Sequence, residues 1–87
     1  MITGAQIRAA RGLKDMTAGE LATAARVGVT TVRRAEAFEG KPRTKDANLS
    51  AIRAALEAAG VEFIPENGGG AGVRFRRSRA YAARLMM

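Results

Sequence analysis

The chain has 87 residues, 15 of them basic and 8 acidic, for a formal net charge of +7. It contains neither cysteine nor histidine, which excludes disulfides, zinc fingers, thiol nucleophiles and imidazole bases. This length supports one module with a modest core, and 47% hydrophobic residues with only 5% aromatic, alanine prominent among them, point to close-packed short helices.

No apolar run approaches a bilayer span, and the start MITGAQIRAA lacks the apolar block of a secretion signal, so a cytoplasmic protein without a membrane partner is expected. The first helix is predicted to follow Thr3 as its cap, with Ile7, Ala10 and Leu13 facing the core, and to end between Gly12 and Asp15. Thr17 and Glu20 have the spacing of a capping box, which starts a second helix near Ala18 with Leu21, Ala22 and Ala25 buried. The helical period lapses from Arg26 to Gly28. It resumes in a new register with Val29, Val32, Ala35 and Glu36, predicting a third helix over residues 29–37.

EGKPRTKD, residues 39–46, reads as a loop. After it, Leu49, Ile52, Ala55, Leu56 and Ala59 form a helical stripe that Gly60 ends in a left-handed stop. VEFI and VRFRR then alternate around a glycine-rich turn, predicting a β-hairpin over 61–64 and 73–77, or two strands shared between subunits. The final SRAYAARLMM reads as a short helix or a frayed tail. From Asn67 onward there are five arginines and no acid, leaving +2 for residues 1–66. Such an excess attracts polyanions through phosphate contacts.

Two short helices joined by a three-residue turn inside a helical bundle describe a helix-turn-helix. In QIRAARGLKDMT, GELATAARVGV and TTVRRAE the chain resembles the phage repressor and Cro-like regulators, the XRE family, over about residues 5–60. The resemblance implies a mainly α fold, a lambda-repressor-like bundle of four to five helices with a helix-turn-helix. To this the chain would add the hairpin or intersubunit strands and a basic tail. It divides the chain into a DNA-binding part, 1–60, and a C-terminal part, 61–87, that dimerises the protein or touches DNA.

The resemblance further implies a structural ion pair between Arg11 and Glu36 and groove-facing positions at Gly28, Val29, Thr30, Arg33 and Arg34. Either arginine has the chemistry to contact guanine O6 and N7, or to hold phosphate only. Thr17, Arg26, Lys41, Arg43 and Lys45 are the expected phosphate clamps. The chain departs from the family at Ala18, where glutamine is usual, at Arg26, where glycine usually holds a left-handed turn, and at Gly28, where serine or threonine usually caps. The expected partners are double-stranded DNA and a second copy of the chain, with no cofactor, no metal and no catalytic residue. The alternative is an antitoxin or phage-type modulator acting mainly on a protein partner. GGGAG lacks the Gly-Lys-Ser/Thr of a phosphate loop and reads as a turn.

Overall fold

The computed structural model describes residues 2–38 and 44–76. It is mainly helical, with four helices followed by a small antiparallel sheet: α1 (Gly4–Lys14), α2 (Ala18–Ala25), α3 (Val29–Glu36), α4 (Asp46–Ala58), β1 (Val61–Ile64) and β2 (Gly72–Phe75). No helix among the described residues is long and apolar enough to cross a membrane.

The starts of α1 and α2 are written in side-chain chemistry. Thr3 accepts from the Gln6 N–H while the Gln6 side chain accepts from the Thr3 N–H, and Thr17 and Glu20 repeat this reciprocal box at α2. α3 begins at Gly28 and α4 at Lys45, neither with a side-chain cap. α4 takes in Asp46, the last residue of the stretch expected as a loop, and this acid suits the positive end of a helix dipole. Its stop is as expected, with Gly60 at φ +99.

One core joins all these elements. Ile7, Ala10, Leu21, Val32, Ala35, Leu49, Ile52, Leu56 and Val61 are fully or almost fully buried and form a single cluster. Burying a leucine- or isoleucine-sized side chain contributes roughly 1.5–3 kcal/mol, so the α4 stripe is a main source of stability. Leu13 departs from expectation: it is 37% exposed, on the last turn of α1 just before the left-handed Asp15 redirects the chain. Ile2, ahead of the helix, is buried in the core instead.

Among the described glycines, Gly4 marks the tightest backbone approach. A Cβ there would lie 1.8 Å from the Phe38 carbonyl oxygen and 2.6 Å from that of Ala35, so the start of α1 meets the end of α3 backbone to backbone. Only glycine fits.

The two strands pair intramolecularly as a hairpin, with Val61 opposite Phe75 and Ile64 opposite Gly72. The second strand begins at Gly72 and closes at Phe75, earlier than the predicted 73–77. Val61 is buried while Phe75, on the same face, is 53% exposed and lies beneath the Lys14 ammonium, 5.9 Å from its ring centre. Gln6 anchors the hairpin to α1, donating to the carbonyls of Ile64 at 3.1 Å and Gly72 at 2.9 Å. The predicted tail segment, SRAYAARLMM, lies outside the described residues.

Candidate nucleic-acid interface

The turn between α2 and α3 is built from backbone. Arg26 takes a left-handed conformation, φ 58 and ψ 43, and its N–H returns to the Ala22 and Thr23 carbonyls. This costs a non-glycine residue roughly 1–2 kcal/mol. Val27 follows, partly buried against the core, with its N–H on the Ala22 carbonyl at 3.0 Å. Gly28 then opens α3 in an extended conformation, and its carbonyl accepts from Thr31 at 3.0 Å and Val32 at 3.3 Å. No side chain caps this start of α3, the end at which the helix dipole is positive.

The apolar side of α3 is Val32 and Ala35, and its opposite side is polar. Gly28, Thr30, Arg33 and Arg34 are exposed, as are Thr17 and Arg26 at the two ends of α2. Val29 is only half-exposed and packs partly on the core, which limits what it can offer a partner. Its place at the first turn of α3, directly after the sharp Arg26–Gly28 turn, draws it back toward the other helices.

Beyond the core packing of Val32 and Ala35, this helix is tied down by hydrogen bonds at its C-terminal end. The Arg11 guanidinium binds Glu36 with two hydrogen bonds, Nε to Oε2 at 2.7 Å and Nη2 to Oε1 at 2.9 Å, and a third bond from Nη1 reaches the Met16 carbonyl at 2.9 Å. Glu36 is buried, and its hydrogen bond is the main reason that the Arg11 pKa rises above its ordinary value. Arg8 adds a hydrogen bond from Nη1 to the Glu36 carbonyl. One arginine thus ties α1, the α1–α2 turn and α3 together.

A cleft of about 450 Å³ opens between α3 and the start of α4, lined by Thr31, Arg34, Thr44, Lys45 and Asn48. Two cations stand at its wall. The Thr44 hydroxyl oxygen is buried there without a hydrogen-bond partner among the described residues, and the α4 N-terminus beside it has no side-chain cap. Positive charge, an unused hydroxyl and uncapped amides together suit an anionic oxygen.

Of the ten groove-facing and phosphate positions expected from sequence, the structure places Thr17, Arg26, Gly28, Val29, Thr30, Arg33, Arg34 and Lys45 around α2, α3 and the start of α4. Lys41 and Arg43 lie outside the described residues. Sequence reasoning missed Thr31, Thr44 and Asn48. The acidic Asp46 directly after Lys45 was the available signal that α4 begins there and turns these residues toward α3.

Among the described residues no group of three or more histidine, cysteine, aspartate or glutamate side chains could hold a metal ion. None of the models of known protein families matches this chain, and no curated protein matches it.

Proposed function

We propose that the chain is a sequence-specific, double-stranded-DNA-binding transcriptional regulator of the phage repressor and Cro-like kind. In this reading α2 and α3 are a helix-turn-helix and α3 lies in the major groove. The observation that carries it is the outward side of α3, where Thr30, Arg33 and Arg34 are exposed above a helix start with no side-chain cap. Arginine offers two donors in a fixed fork to guanine O6 and N7, and threonine a methyl to thymine. Arg26, and Lys45 at the cleft beside α3, supply the backbone contacts that set register without reading sequence.

An α3 of eight residues reaches only a few base pairs. A homodimer on two half-sites about 34–36 Å apart extends the reading, and the C-terminal strands and arginines are the material for that assembly and for added backbone contact. The protein acts by occupying its site, with control exercised through concentration and assembly.

Selection of bound sequences from random duplex DNA tests the reading. A recovered motif with two-fold symmetry supports it, and binding without any preferred sequence, or none at low salt, overturns it. A second reading, an antitoxin or modulator that binds a protein partner, is favoured by the exposed Phe75 and Leu13. Its mark is a second polypeptide co-purifying at fixed stoichiometry.

A further inference from the structure

The loop between β1 and β2 runs from Pro65 to Ala71, and every residue in it is exposed. Its one internal tether is a hydrogen bond from the Gly70 N–H to Glu66 Oε1 at 3.0 Å. Between these two residues stand Asn67, Gly68 and Gly69. Among the described residues neither the Asn67 carboxamide nor the Gly68 N–H makes a hydrogen bond. Gly68 sits at φ +98, and a Cβ built there would meet nothing within 4 Å.

We propose that Asn67 is a site of non-enzymatic covalent modification through the Gly68 amide. The Gly68 nitrogen loses its proton to hydroxide or buffer base and attacks Asn67 Cγ. The N–Cγ bond closes a five-membered imide, the Cγ–Nδ2 bond breaks, and the departing nitrogen takes up a proton and leaves as ammonia. Water then adds to one of the two imide carbonyls and opens the ring. Hydrolysis on one side leaves aspartate, and on the other isoaspartate, whose side-chain carbon has become part of the main chain. Nothing is oxidised or reduced, and water is the sole co-reactant.

Two features make this site reactive. The attacking nitrogen carries no neighbouring Cβ, and its N–H is not committed to a ladder or helix. The other asparagine of the chain lacks both: Asn48 lies within α4, is followed by leucine, and the Leu49 N–H is held by the Lys45 carbonyl at 3.1 Å. The product places a second carboxylate beside Glu66 and lowers the net charge of +7 by one. The isoaspartate product also lengthens the connection whose ends Gln6 holds at Ile64 and Gly72.

The test is incubation of the full chain in mildly alkaline buffer, followed by peptide mapping with mass spectrometry. The Asn67 peptide is expected to split into aspartate and isoaspartate forms while the Asn48 peptide stays intact. Gly68→Ala should slow the conversion roughly tenfold by crowding the ring. Asn67→Gln, which keeps a carboxamide in the loop but closes only a larger ring, should abolish it, and guards against a Gly68→Ala chain that fails to fold. Equal conversion at Asn48 and Asn67, or no conversion at Asn67, overturns the proposal.

Discussion

Gln6 and Gly72 stand 66 residues apart in sequence and 2.9 Å apart across a hydrogen bond, the Gln6 amide donating to the Gly72 carbonyl. The same nitrogen gives its other hydrogen to Ile64, and the side-chain oxygen accepts from the Thr3 N–H. Every hydrogen-bonding direction of this buried amide but one acceptor lone pair is in use, and it holds both strands of the hairpin to the first turn of α1. Gln6→Leu removes all three bonds and is expected to destabilise the fold by about 1–3 kcal/mol, read from urea unfolding. Amide exchange should accelerate most in β1 and β2.

Arg26 carries backbone strain and charge on one residue. Arg26→Gly relieves the left-handed conformation and is expected to stabilise the protein by about 0.5–1 kcal/mol. The same change removes a cation from the proposed DNA contact, so affinity should fall evenly across sequences and the slope of log affinity on log salt should shrink by about one. Thermal unfolding and salt-dependent titration separate the two effects. An unchanged slope would remove Arg26 from the set of phosphate contacts.

The Arg11–Glu36 pair is not fully enclosed, with side-chain exposures of 26% and 9%. Glu36→Ala should therefore cost less than a deeply buried pair, about 1–3 kcal/mol, since Arg11 keeps partial access to water and its bond to the Met16 carbonyl. Combining Arg11→Met with Glu36→Leu should recover much of the loss. A double variant as unstable as the sum of the two single variants would show that the pair's hydrogen bonds cannot be replaced by apolar packing.

Two carboxylates give the protein a weak acid sensitivity. The Glu20 pKa is lowered by the backbone N–H of Thr17 first and its hydroxyl second, and that of Glu62 by the Arg74 hydrogen bond first and its charge second. Each group binds protons more weakly folded than unfolded, so its contribution is present above the ordinary carboxylate value of 4.5 and is lost as pH falls through the lower, folded value. Both groups are exposed, so the effect is small. Unfolding midpoints measured from neutral pH downward should hold steady and then drop below about 4.5, with a shallower drop in Glu20→Gln and Glu62→Gln chains.

Much of the helical layout is legible in local chemistry. Thr17 and Glu20 announce α2 because a capping box is a contact between near neighbours, and Leu49, Ile52 and Leu56 announce α4 because burial of one helix face imposes its period. Gln6, Gly4 and the cleft at Thr44 are not legible in that way. Each takes its role from a distant segment: Gln6 from the hairpin carbonyls, Gly4 from the Phe38 carbonyl, Thr44 from the packing of α4 beside α3. Leu13 shows the same limit in reverse. Its spacing fits the buried face, but the redirection of the chain at Asp15 decides that it stays at the surface.

The close meeting of Gly4 with Phe38 has a bearing on how such a protein can diversify. The groups that set the pitch of α3, namely Gly4, Arg8, Arg11 and Glu36, share no member with the outward set of Thr30, Arg33 and Arg34. Substitution can rewrite the outward set while the mounting stays constant. In the proposed DNA-binding role the scaffold is a holder with an exchangeable bit, and a library varied at those three outward positions alone should shift sequence preference while the fold stays unchanged.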